Sequence, residues 1–319
     1  MGNRRIFAGI DIGGTKCAVI LAAADENDIV ILKKERFATQ YGGDPYAIIE
    51  RFCGILTEFE GVARFESIGV SCGGPLDSAT GVIKRPPNLP SWDEVPVCTI
   101  LRERFGVPAK LRNDADACAV AEWRYGAGRG CDSMVFLTFG TGLGAGLILG
   151  GRLYSGSSDR AGEIGHVRAE AFGPSGYGKP GSFEGFCSGG GIAQLGYTIG
   201  LARYQNGERP SYWSDDRAAI TAKTIADAAD AGDSAALETY AVCGQRLGQC
   251  LSVLIDVLDP QRIVLGGIYP RSTGLLLPHI LPVIERECLP GALERCNILP
   301  ARLSEQIGDY AAVCIAMED

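Results

Sequence analysis

The sequence predicts an α/β protein of two domains, with sheets covered by helices. Three observations lead there. The chain has 319 residues, more than one ordinary hydrophobic core takes up. Short apolar runs of strand type alternate with stretches of helical apolar spacing along much of its length. One pattern also occurs twice: apolar strand, Asp or Thr, glycine turn, apolar strand, at 6–21 and again at 133–149. Two similar halves facing each other across a cleft would bring both turns to one ligand.

Residues 5–12, 16–23 and 29–37 read as strands, the first two joined as a hairpin at Gly13-Gly14. Helical spacing covers 45–60, and Ser67-Ile-Gly-Val70 is a buried strand running into Cys72-Gly-Gly-Pro75. A loop rich in Pro and Gly follows from Gly81 to Pro96, then a strand from Val107 to Leu111 and a helix from Ala115 to Tyr125. The second block restarts with a strand over 133–139, a turn at Gly140-Thr-Gly-Leu-Gly144 and a strand over 145–149, stopped by Gly150-Gly151. Residues 155–190 look irregular. Helical segments come near 190–203, 221–231 and 233–258, a short strand at Ile263-Val-Leu265 ends in Gly266-Gly267, and 308–317 is a last helix.

Composition excludes several classes. Hydrophobic residues make up 46%, enough for buried cores, and no run reaches the roughly 18 apolar residues of a membrane span. Met1-Gly-Asn-Arg-Arg5 leads into the first strand, so no signal peptide is expected. The net charge of −8, without a Lys/Arg-rich tract, argues against nucleic acid as a partner. Twelve cysteines are scattered singly through apolar segments with no C-x-x-C pair, which reads as reduced, mostly buried thiols of a cytoplasmic protein.

Asp11-Ile-Gly-Gly-Thr-Lys16 is the most informative stretch. Gly13 and Gly14 let backbone N–H groups approach a bulky anion, and Thr15 and Lys16 add a donor and a cation. Asp11 suits a metal ion beside that anion, directly or through water. The residues fit a nucleotide-phosphate cradle built on a hairpin; an ordinary Gly-Gly turn is the plain alternative. At 139–145, Gly140-x-Gly142-x-x-Ala145 matches a dinucleotide fingerprint, which must open a helix. Only four residues follow before Gly150-Gly151, so a second phosphate cradle at Thr141 and Gly142, or a structural hairpin, fits better. Gly173-Pro-Ser-Gly-Tyr-Gly-Lys179 stops short of a P-loop, because Pro180 cannot supply the metal-binding hydroxyl.

Asn113-Asp114 stands where a strand passes into a helix. Asp there is either an N-cap or a general base that accepts the proton of an attacking hydroxyl. Glu163 and His166, at i and i+3, are either a pair that recognises ligand hydroxyls or a solvated Glu beside a satisfied His. His279 lies in an apolar helical stretch and reads as structural.

With Asp11-x-Gly-Gly-Thr-Lys16, Asn113-Asp114, Gly140-Thr-Gly142 and Gly162-Glu-Ile-Gly-His166 in this order and spacing, the chain resembles the ROK family. That family holds sugar kinases and related repressors on an actin-like, ribonuclease-H-like fold of two domains around a central cleft. The resemblance implies a small domain over 1–113, completed by the C-terminal helix from about 305, and a large one over 114–304. It implies ATP phosphates held by Asp11, Gly13, Gly14, Thr15, Lys16, Thr141 and Gly142, with Gly266 and Gly267 near the adenosine and Mg²⁺ at Asp11. Asp114 becomes the catalytic base, and sugar hydroxyls fall to Asn88, Asn113, Glu163, His166 and Glu184. An ATP-dependent hexokinase acting on glucose or a close relative follows, as a homodimer. The repressors carry a helix-turn-helix domain ahead of the first cradle, where only the few residues up to Arg5 stand here. One departure matters. The family's zinc loop, Cys-x-Cys-Gly-x-x-Gly-Cys-x-Glu, matches Ser175-Gly-Tyr177-Gly-Lys-Pro-Gly-Ser182-Phe-Glu184, with all three cysteines replaced. Hydroxyls are poor zinc ligands, so no structural zinc is expected, and the loop should be held by glycine turns and by packing of Tyr177 and Phe183.

Overall fold

Two five-stranded sheets of one design organise the chain. The computed structural model describes residues 4–39 and 43–318. The first half runs β1 (Arg5–Ile12), β2 (Lys16–Ala24), β3 (Ile29–Ala38), α1 (Pro45–Glu60) and β4 (Ile68–Cys72). A small ribbon of β5 (Leu76–Asp77) and β6 (Val82–Ile83), then α2 (Val97–Phe105), leads to β7 (Ala109–Asn113). The second half begins with α3 (Asp114–Tyr125), β8 (Met134–Phe139), β9 (Leu143–Leu149) and β10 (Arg152–Leu153). A ribbon of β11 (Ser175–Gly176) and β12 (Lys179–Pro180) precedes α4 (Phe183–Phe186), α5 (Gly189–Gln205), α6 (Ala222–Asp230) and α7 (Ser234–Leu258). The chain closes with β13 (Arg262–Leu265), α8 (Tyr269–Glu287), α9 (Ala292–Arg295), β14 (Asn297–Pro300) and α10 (Ile307–Ala316).

The sheet orders are β3-β2-β1-β4-β7 and β10-β9-β8-β13-β14. In each, an antiparallel meander of three strands continues into two parallel ones. The repeat visible at 6–21 and 133–149 is therefore the hairpin of each sheet. Central strands buried on both faces need unbroken apolar runs, which is why Ile6-Phe-Ala-Gly-Ile10 and Met134-Val-Phe-Leu137 do not alternate.

One core lies between the first sheet and α1 and α2, around Phe52, Leu56 and Trp92. A second lies between the second sheet and α5, α7 and α8, around Tyr240, Leu251 and Ile280. The third joins the sheets: α3 and α10 are packed between them, with Phe7 and Ile20 on one side and Phe136 and Val264 on the other. Glycines set these approaches. A Cβ on Gly69 would fall 2.1 Å from the Ala312 carbonyl oxygen of α10, and one on Gly146 would fall 2.4 Å from that of Ala115 in α3. No side chain fits there, so the helices sit directly on the strands and their ends are placed tightly.

Several expectations shift. The strand expected at 107–111 is Ala109–Asn113, and β9 starts at Leu143 rather than 145, leaving a turn of three residues, 140–142. The irregular stretch holds the β11–β12 ribbon and α4, and α2 and β14 lie outside the elements read from the pattern. Within α8, Pro278 and Pro282 sit inside a helix that is already kinked at Ser272. By length and composition alone α7 qualifies as a membrane span, but half of its most apolar window is buried inside this fold. All twelve cysteines are unpaired thiols, ten of them buried.

Candidate active site

The end of β7 and the start of α3 place the central carboxylate. Asn113 is the N-cap: its side chain accepts from the Ala115 N–H at 2.9 Å. Asp114, the first helical residue, also accepts from that N–H, through Oδ1 at 2.8 Å. Among the described residues this is its one hydrogen bond, so Oδ2 is uncommitted and lies toward Gly73, where an added Cβ would stand 4.0 Å away. The cap role that the sequence allowed for Asp114 thus belongs mainly to its neighbour. Asp114 is exposed to solvent, yet the protein around it costs its carboxylate water and raises its carboxyl above the usual range, against the pull of the Ala115 N–H.

Asp11, near the end of β1, stands close enough to Asp114 for the charges to be felt. Its carboxyl is pushed up to about 6, first by burial and then by the like charges of Asp114 and Asp309, while Lys34 and Lys16 pull the other way. Lys34 and Asp309 form an ion pair of their own, reaching from β3 to the first turn of α10. Neither was singled out from the sequence; they are 275 positions apart and no local signal marks them. The turn after Asp11 is tight: the Gly13 N–H donates to the Lys16 carbonyl at 3.1 Å and the Thr39 hydroxyl to the Gly13 carbonyl at 2.7 Å. Thr15 and Lys16 are exposed at its tip. Asn88 packs against it, since a Cβ on Gly14 would come within 2.6 Å of the Asn88 Cβ.

The second turn is walled by three segments from the same half. The Gly189 N–H, opening α5, donates to the Gly140 carbonyl at 2.8 Å, and the Ile268 N–H to that of Phe139 at 2.6 Å. Gly267 is left-handed (φ 63°) and a Cβ there would fall 2.0 Å from the Phe139 oxygen, so Gly266-Gly267 lie flat against the turn. Thr141 is exposed beside them. Glu184 of α4 reaches the other flank, where its Oε2 accepts from the Leu143 N–H at 3.1 Å and crowds Gly142.

Glu163 lies between these features. Burial raises its carboxyl first, then the charges of Glu184 and Asp114, with His166 and Arg160 opposing. Asp114 thus acts on both Asp11 and Glu163, and Glu184 and His166 act on Glu163, while Asn113 adjoins Asp114 and Asn88 packs on the first turn. Carboxylates held above their usual range by burial and, for Asp11 and Glu163, by neighbouring carboxylates are costly in a purely structural role and common at sites of chemistry.

Where the family has zinc cysteines, the chain has a ribbon closed by other means. Gln194 of α5 accepts from the Ser175 N–H at 3.1 Å and donates to its carbonyl at 2.9 Å, and the Ser182 hydroxyl caps α4 through the Gly185 N–H at 3.1 Å. Ser175, Tyr177 and Ser182 offer no thiolate, so this donor set does not fit zinc. Phe183 packs into the second core as expected, whereas Tyr177 is exposed and touches the His166 ring edge-on, with ring centres 6.1 Å apart.

Paired sheets of this order, with two inter-sheet helices and a glycine-turn hairpin at the head of each sheet, define an actin-like two-domain fold. The chain belongs to the ROK family, whose sequence profile matches residues 7–318. It is 30% identical over 313 residues to a glucokinase of Halalkalibacterium halodurans, covering 95% of this chain and 92% of the relative. The crystal structure of a ROK family glucokinase from Streptomyces griseus in complex with glucose and AMPPNP is 28% identical, with a TM-score of 0.79 over 98% of this chain and 99% of that one. The transcriptional dual regulator NagC of Escherichia coli is 31% identical over 256 residues, 79% of this chain but 61% of the regulator.

Proposed function

We propose that this protein is an ATP-dependent hexose kinase that phosphorylates the 6-hydroxyl of glucose or a close relative. The observation that carries the reading is Asp114: a carboxylate at the start of α3 with one oxygen free, its pKa raised, and its charge felt by Asp11 and Glu163. In this reading the sugar sits against Asn88, Asn113, Glu163, His166 and Glu184. Asp114 accepts the proton of the 6-hydroxyl as that oxygen bonds to the γ-phosphorus and the bond to the ADP oxygen breaks. Gly13, Gly14, Thr15 and Lys16 hold the phosphates from one side, Thr141 and Gly142 from the other, and Gly266 and Gly267 bound the adenosine. Closing the lobes over the sugar excludes water that would otherwise take the phosphoryl group.

A magnesium ion bound with ATP would neutralise phosphate charge. A half-buried Asp11 facing two further carboxylates suits a hard cation. Among the described residues no three His, Cys, Asp or Glu side chains stand close enough to hold a metal by themselves. The division at 113/114, with α10 completing the first lobe, the absence of zinc, a cytoplasmic homodimer, and sugar and ATP as partners with neither nucleic acid nor membrane belong to the same proposal.

The substrate alternatives are N-acetylmannosamine, N-acetylglucosamine and fructose; the alternative of another class, a non-catalytic sugar-binding regulator, draws on the likeness to NagC. A coupled ADP-release assay over hexoses and N-acetylhexosamines separates them. Sugar-dependent turnover, highest with glucose, is expected; sugar binding with no turnover on any member of the panel would turn the reading to the regulator.

A further inference from the structure

Besides Asp114 and its neighbours, a second polar cluster spans the two halves. The chain from Ser155 to Ala161 closes on itself through the Ala161 N–H and the Ser155 carbonyl, 3.0 Å apart. Its start is pinned to α3, where the Ser155 hydroxyl donates to Asp116 Oδ2 at 2.6 Å, two residues from Asp114. Its end is pinned to β9, where the Ala145 N–H donates to the Gly162 carbonyl at 2.8 Å. Ala161 and Ile164 pack in the core of the second half. The tip of this loop reaches the other half: Asp159 accepts the Ser78 N–H at 2.8 Å and the Ser78 hydroxyl at 2.7 Å. Ser78 follows β5, whose Leu76 belongs to the core of the first half.

The contact is built rather than incidental. Both carboxylate oxygens of Asp159 are used, and its backbone is held left-handed (φ 53°), a conformation that disfavours L side chains and persists where the surroundings impose it. Arg112 Nη1 donates to the Ser78 hydroxyl at 3.3 Å and its other nitrogens hold Glu318, so the hydroxyl is oriented with its proton toward Asp159. A cavity of about 490 Å³ lies alongside, lined by Ser78, Arg112, Ser155 and Asp159. Glu163 is four residues beyond the tip.

We propose that Asp159 is a positioning residue for sugar recognition: its double hydrogen bond to Ser78 clasps the two lobes and sets the loop that presents Glu163 to the sugar. The clasp rests on the sugar-kinase reading, which it deepens. A contact that bridges the lobes favours the arrangement that makes it by its own free energy and no more, so its loss weakens a ligand that needs that arrangement.

The test is Asp159→Ala, Asp159→Asn and Ser78→Ala in the full chain, with steady-state kinetics, glucose calorimetry and amide hydrogen exchange. Asp159→Ala should raise KM and Kd for glucose about tenfold, the scale of one charge-assisted hydrogen bond, with KM for ATP within about twofold. Asp159→Asn should recover most of the loss, because its amide oxygen still accepts the Ser78 N–H. Ser78→Ala should fall between, and adding it to Asp159→Ala should cost little more. Equal losses toward glucose and ATP, or no recovery with Asn, would mark a merely structural residue and overturn the clasp. If the wild type binds no sugar, the kinase reading fails, and exchange still decides the clasp. Faster exchange at 76–83 and 155–163 in Asp159→Ala supports it, and unchanged exchange sinks it.

Discussion

The Asp114 carboxylate has one oxygen tied to the Ala115 N–H and one that no described residue claims. That asymmetry suits a general base: the bound oxygen fixes direction while the free one takes the proton. Asp114→Asn keeps the shape and removes the basicity. Its kcat should drop by about 10²–10⁴, with glucose Kd within about threefold by calorimetry. Because the loss of water raises the Asp114 carboxyl, activity should be lost as pH falls through a point above the ordinary carboxylate range, since only the ionised form accepts a proton. An acid limb of kcat/KM near the ordinary value would contradict this. At residue scale the sequence left Asp114 between cap and base, because both uses favour Asp at that boundary; the structure puts Asn113 in the cap, which leaves Asp114 free for the base role proposed above.

The second hairpin turn with its glycine wall and the loop that carries Glu163 are separate elements, so their defects should separate in kinetics. Gly267→Ala forces a left-handed residue to carry a Cβ 2.0 Å from the Phe139 oxygen, which must push the 139–142 turn. KM for ATP should rise at least tenfold with glucose Kd nearly unchanged. Gly162→Ala, with φ 83° and a Cβ 1.9 Å from the Ala145 oxygen, disturbs the Glu163 loop and should do the reverse. The same pattern of effects from both variants would show that the turn and the loop are not independent. Both hairpins were legible because apolar run, glycine turn and apolar run are local. The internal prolines of α8 and the short α2 carried weaker local signals, and packing against α7 and β7 overrides them.

At the scale of the whole molecule, Gln194 ties the ribbon over 175–180 to α5, and we propose that the ribbon needs no metal. Incubation with EDTA should leave the melting temperature within about 2 °C, whereas a fold that depends on zinc loses stability outright when stripped. One zinc per chain in elemental analysis would overturn this. The sequence by itself determined the two glycine-turn hairpins, the Asn113-Asp114 boundary, the Glu163–His166 turn and the replacement of the three loop cysteines, because each is written in neighbouring residues. Tertiary structure alone decided that Lys34 and Asp309 flank Asp11, that α3 and α10 lie between the sheets, and that Ser78 meets Asp159. Those contacts join segments 81 to 275 positions apart, and their partners are chosen by the packing of whole sheets and helices, which no local period encodes.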